Sequence, residues 1–237
     1  MQNLKMINEQ PAEKPEHRDD GALWVNDCVH TIQGEGPLAG TPAVFVRLAG
    51  CVLQCPMCDT EYTKRELCDV KTIKARVRSR ARTNTRLVVI TGGEPLRQNL
   101  EHLVKELLWT RFDVQLETNG TLWQEWLSLD SFSARRVSVI VSPKTGSMNH
   151  RIDGKADAIK YIIQAGHVDP DDGLPTNCLG MNIRPARSRF SYKPIYVQPL
   201  DEGDEEKNRV NMEAAVDSCL KFGHKLSCQI HKVIGLP

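Results

Sequence analysis

A chain of 237 residues with a net formal charge of +1 is long enough to bury one large core without disulfide staples. The near-neutral balance excludes the strong field that composition-driven binding to nucleic acid or an anionic membrane needs, so neither partner is expected. No apolar run reaches the ~18 residues required to span a bilayer.

Residues 1–22 are polar, hold Pro11, Pro15, Glu13, Glu16, Asp19 and Asp20, and show no periodicity. They read as a flexible extension without a signal-peptide pattern, ahead of a single core domain over 23–237. A cytoplasmic setting with reduced thiols is the expectation.

Residues 24–31 read as a first strand, followed by a loop with Gly34, Gly36, Pro37 and Gly40. Residues 43–48 form a second strand, broken by Gly50. Residues 71–82 are a basic helix. Leu87-Val88-Val89-Ile90 is the continuous apolar run of a strand buried on both faces, and it ends at Thr91-Gly92-Gly93-Glu94-Pro95. Leu100, Leu103, Val104, Leu107 and Leu108 mark one face of a helix. Residues 113–117 form a strand closed by Thr118-Asn119-Gly120, 122–127 a short helix, and 137–141 a strand ending at Ser142-Pro143-Lys144. Strands follow over 158–163 and 195–198. The acidic run 201–207 reads as a solvated loop and helix start. The helix carries Met212, Ala215, Val216, Cys219 and Leu220 and stops at Gly223. Leu226, Cys228 and Ile230 alternate as a last strand.

Strands alternating with helices give an α/β fold with a parallel sheet and helices outside it. The unusual residues stand just after strands, where parallel sheets bind ligands, so they should share one pocket.

Cys51, Cys55 and Cys58 lie within one loop. Cys55-Pro56-Met57-Cys58 alone suits a redox pair, or half a zinc site with Cys68 as a further ligand. Three thiolates also suit a [4Fe–4S] cluster with one iron left open to an outside ligand. The scattered Cys28, Cys68, Cys178, Cys219 and Cys228 read as small buried hydrophobes.

The C-x3-C-x2-C loop after one strand and TGGEP after another resemble the signatures of the radical S-adenosylmethionine (SAM) enzymes. That resemblance implies an incomplete, modified (β/α) barrel, with Cys51, Cys55 and Cys58 holding the cluster and SAM on its open iron. It implies SAM contacts at Met57, Cys58, Asp59, Gly93, Ser142, Pro143 and Lys144, with Glu117 and Gln198 as further candidates. Glycine at 93 lets backbone approach a ligand closely, and a hydroxyl beside an ammonium at 142 and 144 suits a carboxylate. The superfamily usually carries an aromatic residue before the third cysteine, where this chain has Met57.

The stretch HTIQGEGPLAGTPAVFVRLAGC, from His30 to Cys51, narrows the resemblance. Together with CDT and the closing HKVIGLP, it is similar to the 7-carboxy-7-deazaguanine synthase family from about Trp24 onward. That family's substrate is 6-carboxy-5,6,7,8-tetrahydropterin. Gln33 offers a heterocycle both donor and acceptor, Glu35 accepts from N–H groups, and Arg47 clamps a carboxylate. The resemblance adds Ile32, Gly34, Thr91, His231 and the carboxylate of Pro237 to the substrate contacts, and makes Thr60 a ligand of Mg2+. It implies hydrogen abstraction at C6, ring contraction and loss of ammonia, in a homodimer served by an electron donor such as flavodoxin or ferredoxin. Two rivals differ in kind: a radical SAM activase acting on a partner protein, and a zinc-stabilised binding module using Cys51, Cys55, Cys58 and Cys68.

Overall fold

The computed structural model describes residues 8–129 and 136–236. Its strands are β1 (Leu23–Ile32), β2 (Pro42–Leu48), β3 (Glu66–Cys68), β4 (Leu87–Gly92), β5 (Asp113–Thr118), β6 (Val137–Val141), β7 (Ala158–Ile163), β8 (Ile195–Pro199) and β9 (Lys225–Leu226). They form one sheet in the order β3-β1-β2-β4-β5-β6-β7-β8-β9. From β2 to β9 every neighbouring pair is parallel, while β1 runs antiparallel to both β2 and β3. The edge strands β3 and β9 do not pair with each other, so the barrel stays open on one side, as the incomplete (β/α) barrel expectation requires.

The helices are α1 (Val70–Arg80), α2 (Glu101–Trp109), α3 (His150–Lys155), α4 (Glu205–Phe222) and α5 (Ile230–Val233). The α2 stripe buries Leu103, Val104 and Leu107 in the main core with Val88, Ile90 and Leu116. Each such side chain contributes about 1.5–3 kcal/mol of burial. Asp69 caps α1 by accepting from the Thr72 amide, and Asp204 caps α4 by accepting from Lys207. Gly223 ends α4 at φ 76°, a left-handed conformation that glycine adopts without strain.

Three local expectations are corrected. Residues 122–127 do not form a helix; the chain makes a short 3-10 turn at Glu125–Ser128. The last strand stops at Leu226, because the buried Ser227 turns inward to accept from the Gly36 amide, and Ile230 then opens α5. Residues 8–22 are not a free extension. Their polar side chains, which read as solvated, find partners on the core: Glu13 pairs with Arg65 and Arg97, and Gln10 accepts from the Tyr62 amide. Among the scattered cysteines Cys28, Cys68 and Cys178 are buried, but Cys219 and Cys228 are only half-buried.

The end of β4 passes very close to its neighbours. A Cβ at Gly93 would lie 2.1 Å from the Gly50 carbonyl oxygen, and one at Gly92 2.1 Å from that of Leu48. Backbone cannot yield there as a side chain would. Gly93→Ala should therefore lower stability by about 2–3 kcal/mol, read as a lower midpoint in urea unfolding; an unchanged midpoint would contradict this packing.

Candidate active site

The carboxyl ends of the parallel strands open into a cavity of about 420 Å³. The loop after β1 contributes Gln33 and Glu35, and β2 contributes Arg47. The cysteine loop contributes Cys51, Cys55, Met57, Cys58, Asp59 and Thr60. Thr91 and Gly93 come from the end of β4, Glu117 from β5, Ser142 and Lys144 from beyond β6, Gln198 from β8 and His231 from α5. The topology thus brings residues as far apart in the chain as Gln33 and His231 to one space. Ile32, Gly34 and Pro143 do not line it. Gly34 backs His231 instead, with no room for a Cβ between them, and its carbonyl accepts from the Ile230 amide at 3.2 Å. The Pro143 carbonyl faces the Cys178 thiol at 3.9 Å. Pro237 lies outside the described residues.

The three thiols share one wall. Burial pushes Cys51 and Cys55 up to about 12 and raises Cys58 as well. Thiols so desolvated stay protonated at neutral pH unless a cation binds them directly, and soft sulfur donors suit iron–sulfur ligation. Among the described residues no three His, Cys, Asp or Glu side chains are gathered into a metal-ligating set, so the fit rests on donor type, spacing and the shared wall. Cys68 does not join them. It pairs with Leu23 across β1 and β3 and is buried in the main core, which removes it as the further zinc ligand.

A turn over residues 178–181 covers the loop from the other side. The Met57 amide donates to Leu179 at 3.0 Å, and Cys55 packs with Cys178, Leu179 and Leu200. A Cβ at Gly180 would come 3.2 Å from the Met57 side chain, so the residue standing in the usual aromatic position has a tight neighbour.

Glu94 of the GGE segment is buried and points away from the cavity. It accepts from the Leu96 amide at 2.9 Å, the Thr118 hydroxyl at 2.8 Å and the Asn119 amide at 2.7 Å. Burial raises its pKa to about 7 despite these donors. Its role is to lock the loop after β4 to the loop after β5. Two cavity-lining amides remain partly unsatisfied: Asn119 Nδ2 and Gln198 Oε1 are buried without a hydrogen-bond partner. An unpaired donor and an unpaired acceptor on the lining suit a polar ligand such as SAM.

Gln33 is more engaged than its sequence suggests. Its Nε2 donates to Glu117 at 2.9 Å and its Oε1 accepts from the Glu35 amide at 3.0 Å. Arg47 has no carboxylate partner among the described residues and lies 5.7 Å from the centroid of the Phe45 ring. Lys144 Nζ donates to Ser142 Oγ at 2.5 Å, and Thr60 Oγ1 donates to Asp59 at 3.3 Å.

Sequence reasoning missed the partners of Glu35. Lys160, from β7, forms a buried ion pair with it, and Gln229 donates to its other oxygen at 2.8 Å. Burial opposes ionisation of Glu35, but the Lys160 ammonium outweighs it and holds the carboxyl below its ordinary 4.5. Lys160 is desolvated too, and Glu35 more than offsets that, raising its pKa. A lysine inside the otherwise apolar run Ala158–Ile163 was the available signal. Lys232, also missed, bridges Asp201 at 2.7 Å and Asp59 at 3.4 Å, tying α5 to the cavity rim. Burial lowers the pKa of His231, which favours a neutral ring.

The sign of the Glu35 shift gives a test. With a depressed folded value, its stabilisation is present above pH 4.5 and lost as pH falls through the lowered value. Lys160→Met strands a buried carboxylate, raises its pKa and reverses that dependence. The variant should lose about 3–5 kcal/mol at neutral pH and recover part of it toward about pH 5, read by urea unfolding. Parallel pH profiles for the two proteins would count against the buried pair.

The sequence profile of the radical SAM superfamily matches residues 46–166, just over half of the chain. A 7-carboxy-7-deazaguanine synthase of Rhodospirillum rubrum is 37% identical over 97% of this chain and 99% of its own length. One from Rickettsia prowazekii is 34% identical over 99% of this chain and 97% of its own. The crystal structure of QueE from Escherichia coli superposes with a TM-score of 0.64 at 23% identity, covering 87% of this chain and 93% of that one, and it supports the fold. The chain therefore belongs to the radical SAM superfamily and, within it, to the 7-carboxy-7-deazaguanine synthase family.

Proposed function

We propose that this chain is a lyase that converts 6-carboxy-5,6,7,8-tetrahydropterin into 7-carboxy-7-deazaguanine with loss of ammonia, a step toward queuosine and related 7-deazapurines. The observation that carries the reading is one cavity lined both by the three thiols and by Gln33, Glu35, Arg47 and His231. A radical abstraction needs its generator and its substrate enclosed together, away from water.

When bound, a [4Fe–4S] cluster with SAM supplies the one-electron chemistry and the hydrogen-atom acceptor. Cys51, Cys55 and Cys58 would hold the cluster. Met57, Asp59, Gly93, Ser142 and Lys144, all on the cavity lining, would contact SAM, with the unpaired Gln198 oxygen and Glu117 adding to them. Arg47, with no carboxylate partner among the described residues, takes that of the substrate. Glu35, kept ionised by Lys160, accepts N–H groups of the pterin, with Gln33 oriented by Glu117. Thr91 and neutral His231 complete the substrate side. The Thr60 hydroxyl beside Asp59 is a hard oxygen site for Mg2+, whose charge would offset the substrate carboxylate. The electron comes from a donor such as flavodoxin or ferredoxin, and the working unit is a homodimer.

Anaerobic incubation with the pterin, SAM, reductant and Mg2+, followed by mass spectrometry, should yield the deazaguanine. Cys55→Ala should abolish both the brown colour and turnover; full activity in that variant would refute the reading. Arg47→Ala should retain the cluster but lose about 10²–10³ in kcat/KM, the worth of two hydrogen bonds to a charged group. An unchanged kcat/KM would remove Arg47 from the site.

A further inference from the structure

The cysteine loop makes few hydrogen bonds of its own. The Cys58 amide donates to the Cys55 carbonyl at 3.1 Å, and the Leu53 amide to the Cys51 sulfur at 3.4 Å. Four of its backbone carbonyls are tied by residues 8–13, while Leu179 and Tyr62 supply further ties to its backbone. The Glu13 amide donates to the Cys51 carbonyl at 2.7 Å, beside a parallel bridge between Ala12 and Cys51. Asn8 spans the middle of the loop: its backbone amide reaches the Pro56 carbonyl at 2.8 Å, and its side-chain amide the Cys55 carbonyl at 3.0 Å. Gln10 holds the far end, donating to the Thr60 carbonyl at 2.9 Å and accepting from the Tyr62 amide at 2.7 Å. The Tyr62 hydroxyl returns a bond to the Gln10 carbonyl at 3.0 Å.

The strap is itself anchored. Glu13 lies between Arg65 and Arg97, at 2.5 Å from each guanidinium. Arg97 is buried and packs against Gly50, the residue before Cys51, so closely that a Cβ there would lie 2.9 Å from its guanidinium carbon.

We propose that residues 8–13 brace the cluster loop, with Asn8, Gln10 and Glu13 as positioning residues that hold the three thiols in the arrangement the cluster needs. The inference rests on the cluster assignment of the preceding subsection. The physical reason is preorganisation. A loop whose carbonyls are tied from outside has fewer conformations to lose when it binds metal, and fewer to gain when it releases it. A cluster held by only three thiolates depends on each of them, so loosening one end should show first as iron loss.

The test uses the full chain, anaerobically reconstituted, and compares wild type with the Asn8→Ala/Gln10→Ala double variant. Iron content, iron release to a ferrous chelator, the EPR spectrum of the reduced cluster with and without SAM, and thermal unfolding of the cluster-free protein are read together. Wild type should hold about four irons per chain. The double variant should release iron at least about tenfold faster, with a broadened EPR signal, while the cluster-free midpoint shifts little. If the double variant does not fold, Gln10→Ala alone is read in the same way. Release within about twofold of wild type, or faster release only in step with a lower midpoint, overturns the brace alone. Failure of the wild-type chain to take up iron overturns the cluster assignment and the brace with it.

Discussion

Three thiols lining one cavity, Cys51 and Cys55 buried and Cys58 half-buried, are stable as thiols, but useful as ligands only when a cation replaces their protons. The surroundings follow from that demand. The Gly50 carbonyl accepts from the Glu94 amide at 3.0 Å, so the cysteine loop and the glycine turn after β4 are joined directly. Only glycine at 93 permits the approach. Glu94 then fixes the next turn through Thr118 and Asn119. Loops on three successive strand ends are thus locked to one another before any ligand arrives.

Glu35 meets a different electrostatic problem in the same cavity. A buried carboxylate that is to accept hydrogen bonds must stay ionised where water is scarce. Glu35 does so because β7 places Lys160 beneath it and the segment before α5 places Gln229 beside it. The last residues of the described chain take part in the site, since α5 is pinned by Ile230 to Gly34 and by Lys232 to Asp201 and Asp59. The cavity is therefore closed by contacts between the loop after β1 and the carboxyl-terminal segment.

Much of this was legible in the residues. Continuous apolar runs such as Leu87 to Ile90 identified strands buried on both faces, and the stripe on α2 fell where its spacing placed it. Cysteines, glycines and the SPK turn marked the strand ends because their chemistry differs sharply from ordinary loop composition. Partnerships set only by tertiary structure were not legible. Nothing local distinguishes Glu13 on a solvated tail from Glu13 between two guanidinium groups. The alternation of Leu226, Cys228 and Ile230 suggested a strand, yet the tertiary bond to Ser227 ended it early. Gln33 carried the right functional groups for a pterin, but the fold already uses them on Glu117 and Glu35.

Iron and substrate are expected to meet in this cavity. Anaerobic crystals grown with SAM and the pterin, measured at the iron absorption edge, test it most directly. The account predicts one anomalous peak against Cys51, Cys55 and Cys58, with the substrate carboxylate at Arg47. Anomalous density centred elsewhere, or a pterin bound outside the cavity that those thiols line, would contradict it.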